Sequence, residues 1–322
     1  MAPAAPPDPI AELLTTYNEL NSSSIDELLE VPSPLEFMRY VARNRPFVVR
    51  GGASDWKATR TWDLASLKER MGGMGVNVAV TPKGNADAPV ESDNGELLFV
   101  KPWEEEQEFG EFVDFLVEQE SMGKRDGEEV RYAQTQNDNL RNEYSELFAD
   151  VAPSIPFARI ALTKPPEAIN LWIGNSHSVT ALHKDNYENI YVQIIGQKHF
   201  VLLPPLAYAC VNEKKLSPAS YVRDDRELVV KKEEGDKVPF AVWDPDSGEG
   251  GTKYSSLGKP MRVSLGKGDM LYLPALWYHK VSQSCEDGIC CAVNYWHDME
   301  FGGSFYPLCG FARNVALDAP KN

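Results

Sequence analysis

Histidine and cysteine are scarce in this chain, with five of each among 322 residues. The cysteines (Cys210, Cys285, Cys290, Cys291 and Cys309) are odd in number and show no Cys-x-x-Cys spacing. A closed disulfide framework and a thiolate zinc site are therefore not expected. Cys290 and Cys291 sit together in an apolar run and read as reduced, buried thiols. Positive charge is also in deficit: 32 Lys and Arg stand against 48 Asp and Glu, giving a net charge of −16 and a pI near 4.8. That balance argues against direct nucleic-acid binding and favours a basic partner such as a lysine-bearing peptide or protein. No apolar run approaches the length of a membrane span. The opening stretch MAPAAPPDPIAELL lacks a basic segment and an apolar core, so no secretory signal is expected. A cytoplasmic or nucleocytoplasmic protein follows. What remains is ordinary globular composition, 43% hydrophobic and 25% charged, in a chain long enough for a large core.

Taken in order, residues 1–9 are Ala/Pro-rich and predicted to be disordered, and 1–30 as a whole reads as a disordered and helical arm. Helical spacing of Leu13, Leu14, Tyr17 and Leu20 begins at Ile10. Ser24 with Glu27 suggests a capping box for a short helix through Leu28 and Leu29. Ser33 with Glu36 suggests another, burying Leu35, Met38 and Val41. A strand at 45–50, a helix capped by Asp63, a strand at 76–80, a loop at 84–95, a strand at 96–100 and a helix from Phe109 to Leu116 come next. The stretch 131–136 reads as a strand. From Ala168 the chain becomes dense in strands, at 169–173, 179–185, 188–195, 198–203, 261–265, 270–273, 277–282 and 289–296. Gly196-Gln197 reads as a tight hairpin between two of them. The polar interval 206–260 reads as an excursion carrying surface loops. Eight late strands with helices gathered early predict a mainly β jelly-roll barrel with surrounding helices over 31–315, followed by a short tail at 316–322.

The chemistry concentrates in NLWIGNSHSVTALHKDNYENIYVQIIGQKHFVLLPP (170–205). Within it His183, Lys184 and Asp185 spell His-x-Asp on a predicted strand, where alternate side chains share a face. An imidazole and a carboxylate so placed are two-thirds of a 2-His-1-carboxylate iron site with open positions for dioxygen chemistry. Of the remaining histidines, His279 in the strand-like LYLPALWYHKVSQS is the best third ligand. His177 lies in a Ser-rich loop, His199 among poorly placed neighbours, and His297 after an aromatic run. Three open positions on Fe(II) would admit a bidentate 2-oxo acid and O2. Lys198, set among apolar neighbours, is the candidate cation for that acid's distal carboxylate, since a lysine inside a barrel is costly without an anion. Thr180 and Tyr132 are candidate hydroxyl donors, and Asn294 a polar residue facing the cavity. Tyr187 and Asp298 are the candidate substrate contacts. Trp277, Tyr295 and Trp296 read as core.

With these residues assembled, the chain resembles the JmjC-domain 2-oxoglutarate oxygenases of the lysyl hydroxylase type. The resemblance is carried by PSPLEFMRYVARNRPFVVRGG (32–52), VNVAVTPKGNADA (76–88), RYAQTQNDNL (131–140), the 170–205 stretch, and MLYLPALWYHKVSQS through AVNYWHDMEF (270–301). It implies a double-stranded β-helix of the JmjC/cupin type with Fe(II) on His183, Asp185 and His279. It also implies 2-oxoglutarate contacts on Tyr132, Thr180 and Lys198, with Asn294 lining the site. The implied activity is C3 hydroxylation of a lysyl residue in a protein, a developmentally regulated GTP-binding protein being the implied substrate, by a homodimer. Rival readings are N-methyl-lysine demethylation by the same chemistry, a histone-tail endopeptidase for which no protease constellation is visible, and a non-catalytic JmjC-like binding module. The charged segment 224–253 and the pair Ser176-His177 depart from the family pattern.

Overall fold

The computed structural model describes residues 8–318 other than Arg226. The disorder expected for 1–9 falls outside the described residues as far as Pro7. Asp8 instead caps the helix Pro9–Leu20, accepting from Ile10 N at 3.0 Å. Among the described residues no helix is long and apolar enough to cross a membrane.

The eight late strands are β1 (Ala168–Gly174), β2 (Thr180–His183), β3 (Tyr187–Ile195), β4 (Gln197–Leu203), β5 (Met261–Leu265), β6 (Met270–Leu273), β7 (Tyr278–Ser284) and β8 (Cys290–Asp298). They divide equally between two facing antiparallel sheets. One has the order β6-β3-β8-β1 and is extended past β6 by Phe47–Val49 and Asp26–Leu28, and the other has the order β5-β4-β7-β2. This is the jelly-roll, double-stranded β-helix expected from the strand pattern. Period-2 alternation then sorts the side chains. Ile169, Leu171, Ile173, Ile190, Val192, Val293 and Tyr295 face outward and pack with Phe37, Leu67, Phe109 and Phe157 of the surrounding helices, forming a large core. Phe200, Leu202, Val263, Leu271 and Trp277 belong to a separate core cluster that includes Tyr191 and Val281, residues of the barrel interior.

Several sequence expectations are corrected. Gly196 does not close a hairpin, because β3 and β4 pair within different sheets. It turns the chain across the barrel corner at φ +69, and a Cβ there would lie 2.5 Å from the Ser284 carbonyl oxygen. Only glycine fits both demands. The helix expected from Ser24 is the strand Asp26–Leu28, parallel to Phe47–Val49. Tertiary pairing with an open sheet edge overrides the local capping signal. The helix Pro34–Arg43 has its Ser33/Glu36 capping box but buries Phe37, leaving Leu35 and Met38 exposed. Phe37 prevails because its ring meets Tyr272 and Phe157 edge-on, at 4.8 and 5.0 Å.

The polar stretch 84–95 contains the strand Ala88–Glu91, paired with Leu97–Lys101. Trp103–Glu108 is also a strand, on the edge of Gly75–Thr81, with its glutamates lying along that edge. The interval 206–260 holds three strands rather than loops alone: Glu213–Asp224, Glu227–Lys232 and Val238–Ala241. The first runs parallel to Leu97–Lys101, so this segment shares a sheet with residues far earlier in the chain. The last helix, Phe305–Asp318, runs through the expected boundary at 315.

His297 lies on the outward face of β8, fully buried, and among the described residues neither ring nitrogen has a hydrogen bond of good geometry, the nearest acceptors being backbone at Lys164 and Pro165. Burial pushes its pKa down to about 4, against a smaller opposing effect of the Lys164 backbone. The unfolded imidazole takes up a proton near pH 6.5, while the folded one holds off until about 4. Stability is therefore full above pH 6.5 and falls as the pH drops toward 4. Urea denaturation should show a loss from this residue of about 2 kcal/mol between pH 7 and pH 5. His297→Leu should flatten the pH dependence by that amount. An unchanged slope would mean that the native state protonates His297 freely.

Candidate metal centre and co-substrate pocket

β2 and β7 are neighbours, with His183 directly opposite His279. Their ring centroids are 4.1 Å apart, tilted by 52°. His183 Nδ1 lies 2.8 Å from the Ala181 carbonyl oxygen, and His279 Nδ1 lies 3.0 Å from that of Trp277. A carbonyl only accepts, so each Nδ1 carries the hydrogen and each Nε2 presents a bare lone pair. Both Nε2 atoms face Asp185 Oδ2, at 3.8 Å from His183 and 3.6 Å from His279. One ligand atom from each residue falls within a 4.8 Å sphere of mutual distances. Burial and the neighbouring His183 pull the pKa of His279 down to about 4, with Asp185 opposing. A neutral imidazole at physiological pH is a ready ligand. Two imidazoles and one carboxylate on one side fit Fe(II) with open positions better than a closed tetrahedral zinc site.

The sequence reading placed His183 and Asp185 on one continuous strand, but β2 ends at His183. Asp185 sits in the following loop, where its carbonyl accepts from Leu276 N at 2.8 Å. Leu276 holds φ +66, a left-handed conformation that costs a branched apolar residue about 1–3 kcal/mol. The turn between β6 and β7 thus carries strain while it fixes the aspartate loop and delivers His279. Thr180 also needs an irregularity to reach the cavity. Three residues from His183, it would face away in a regular strand. Val281 pairs with Thr180 while His279 pairs with His183, so β2 carries one extra residue there. This bulge turns Thr180 inward.

The triad opens into a cavity of about 620 Å³. Lys198 lies in its wall, 2% exposed, with its ammonium 2.7 Å from the Tyr132 hydroxyl. Among the described residues no carboxylate pairs with it. Burial works against the ammonium, while the electron-rich Tyr132, Tyr191 and Cys290 around it hold its pKa above the ordinary lysine value. A buried ammonium without a counter-charge is costly, and the distal carboxylate of a 2-oxo diacid would supply one. The Lys198 strand does not adjoin β2, since β7 lies between β4 and β2. Inward alternation with Phe200 and Leu202 brings it to the cavity all the same. Gly174 makes room for the partner phenol, because a Cβ there would sit 2.6 Å from Tyr132 Cδ2.

Asn294 lines the opposite wall, its side-chain oxygen taken by Trp172 Nε1 at 3.0 Å and its amide donating to Asn189 Oδ1 at 3.1 Å. Asn189, Tyr191 and Trp172 are cavity residues that the sequence reading missed. No local signal singled them out, because their facing follows from the register that sets Tyr191 and Asn170 opposite Asn294. Trp296, expected as core, also lines the cavity, while Trp277 and Tyr295 are core. Tyr187 and Asp298 face one another across β3 and β8 but are not cavity-lining side chains. Tyr187 instead stacks on Trp296 at 4.7 Å. His199 is spent on Ser264 and Ser284, at 2.7 and 2.8 Å.

Comparison with known proteins agrees with this geometry. The Cupin-like domain family matches residues 32–303. The human bifunctional peptidase and (3S)-lysyl hydroxylase JMJD7 is 38% identical over 274 residues, covering 84% of this chain and 83% of that protein. The lysine-specific demethylase JMJ32 of Arabidopsis thaliana is 37% identical over 307 residues, covering 91% and 87%. JmjC domain-containing protein E of Dictyostelium discoideum is 33% identical, covering 86% and 84%.

Two variants test the division of labour in the pocket. Lys198→Ala should weaken 2-oxoglutarate binding by about 10²–10³-fold, the cost of removing one partner of a desolvated charge pair, and leave Mn(II) binding unchanged. His183→Ala should lose Mn(II) binding and keep the melting temperature within a few degrees. Titration calorimetry reads both, and equal metal affinity in His183→Ala would remove the assignment.

Proposed function

The chain belongs to the cupin-like JmjC oxygenases, and from that membership we propose that it is a protein lysyl 3-hydroxylase dependent on Fe(II), O2 and 2-oxoglutarate. The observation that carries the reading is the conjunction of the His183/Asp185/His279 triad with a buried, unpaired Lys198 in one cavity. A binding module would need neither, which disfavours the non-catalytic alternative. Bound there, Fe(II) and 2-oxoglutarate supply dioxygen activation coupled to oxidative decarboxylation, with one oxygen atom available for insertion into a C–H bond.

The chain's own residues prepare that chemistry. His183 and His279 offer Nε2 lone pairs held by their Nδ1–H bonds, and Asp185 adds the anionic ligand. Lys198, Tyr132 and Thr180 would hold the co-substrate's distal carboxylate. Phe200, Leu273 and Val281 form an apolar wall that limits water at the site. Asn294, fixed by Trp172 and Asn189, lines the site beside them. The hydroxylase and demethylase names of the two relatives divide over where the oxygen goes, onto a chain carbon or onto an N-methyl group. The target we infer, on the resemblance, is a developmentally regulated GTP-binding protein, and the acidic balance of the chain suits a lysine-bearing surface.

We also propose that two copies associate through the helix Phe305–Asp318. Its Phe305, Tyr306, Leu308, Phe311 and Val315 are exposed large apolar residues on one element, more than a lone surface helix ordinarily presents. The inward Arg313 pairs with Glu213, which also meets Lys184 of the His-x-Asp motif at 3.5 Å. Light scattering should find a dimer that Leu308→Glu/Phe311→Glu converts to monomer; a monomeric parent would reject the interface.

Mass spectrometry of a lysine peptide from such a GTP-binding protein, incubated with Fe(II), ascorbate and 2-oxoglutarate, should show one stable added oxygen on lysine. The addition should vanish without 2-oxoglutarate. Formaldehyde released from a methylated peptide in its place would transfer the assignment to demethylation.

A further inference from the structure

We propose that Asp87, held by Gln134 and with Glu104 at the cavity mouth, receives the ε-ammonium of the target lysine. This rests on the lysyl hydroxylase reading above. Four carboxylates line the cavity: Asp87, Glu104, Asp185 and Glu213. Asp185 belongs to the triad. Glu213 is taken by Arg313, with Nε at 2.8 Å, and by Lys184 at 3.5 Å. Asp87 has no basic partner among the described residues. The nearby cation Lys101 is engaged by Glu233 at 2.6 Å. Glu104 stands exposed at the edge, so Asp87 is the deeper of the two free acids.

The carboxylate of Asp87 is built in rather than incidental. Gln134, itself 8% exposed, donates from Nε2 to Oδ2 at 2.9 Å, and Oδ1 has no donor among the described residues. The loop before Asp87 is pinned by Gly84, whose N–H donates to Thr81 Oγ1 at 2.9 Å and whose carbonyl accepts from Val179 N at 2.8 Å. Asp87 then takes φ +52 and leads into the strand Ala88–Glu91, which packs against β2. Burial raises the Asp87 pKa above the usual carboxylate range despite Gln134 and His183, as expected of an acid that lacks a cation.

The length of the lysine side chain sets where its anchor must stand. From C3 of lysine to its ammonium nitrogen is four bonds, about 5 Å when extended. An anchor for the nitrogen must therefore stand on the wall beside the metal strand, not at its ligands. Phe99 and Phe240, with ring centroids 5.2 Å apart, supply an apolar wall for the methylenes between. Lys198 and Asp87 would then divide the cavity into an anion end for the co-substrate and a cation end for the substrate.

The test compares the lysine peptide of the preceding assay with the same peptide carrying norleucine, which keeps the chain and removes the ammonium. The wild-type enzyme should prefer lysine by about 100-fold in kcat/KM, a scale set by loss of one partner from a buried charge pair. Asp87→Asn should lose most of that preference through KM, with an unchanged melting temperature as the check on fold. Gln134→Leu, which leaves the carboxylate but frees it to move, should lose about tenfold. Equal turnover of norleucine by the wild type, or full lysine preference retained in Asp87→Asn, overturns the anchor while leaving the hydroxylase reading intact. No oxygen on lysine with the wild type removes the reading and the anchor together.

Discussion

An ammonium buried without a counter-charge is the constraint on which the interior of this protein depends. Lys198 is set into the barrel wall by strand alternation, and the apolar side chains around it could have filled its place at lower cost. The phenol of Tyr132 relieves the penalty by one hydrogen bond, and glycine at 174 lets that phenol approach. Three separate parts of the chain, the strand at 130–132, β1 and β4, are thereby committed to one unsatisfied charge. Such a commitment makes physical sense when an anion regularly completes it.

The metal end shows the complementary arrangement. Its ligands are oriented by backbone rather than by side-chain networks, with each imidazole fixed by the carbonyl two residues before it. Irregularity is concentrated where the site demands it: a bulge that turns Thr180 inward, a left-handed leucine that holds the aspartate loop, and a glycine corner that passes the chain from one sheet to the other. Each departs from ideal strand geometry, and each serves the cavity. The regular parts of the sheets, packed against Phe37, Phe109 and Phe157, provide the rigidity against which these departures can persist.

Charge is distributed with the same economy. The chain carries a net −16, yet the cavity holds a cation at depth and free acids toward its mouth. The strands at 213–241, which supply Glu213 and Phe240, close one side of that cavity although they lie in a polar interval of the chain.

Period-2 alternation and local turn chemistry are properties of short windows. The sequence by itself therefore determined the eight strands, the pairing of His183 with a distant histidine, the inward lysine, and the cap at Ser33. The choice of His279 over the three other candidate histidines followed from its strand-like neighbours and the poorer placement of the rest. What only the tertiary structure decided is which strands lie side by side. A glycine turn between two strands reads identically whether they pair or part, so the corner at Gly196 looked like a hairpin. Sheet edges also recruited residues 26–28, 88–91 and 103–108, whose local composition favours helix, loop or solvent, because unpaired edge groups reward any segment that reaches them. The same logic placed Asn189, Trp172 and Trp296 in the cavity and left Tyr187 behind it. Register across strands sets which side of a wall a residue faces, and register is fixed by partners far away in the chain.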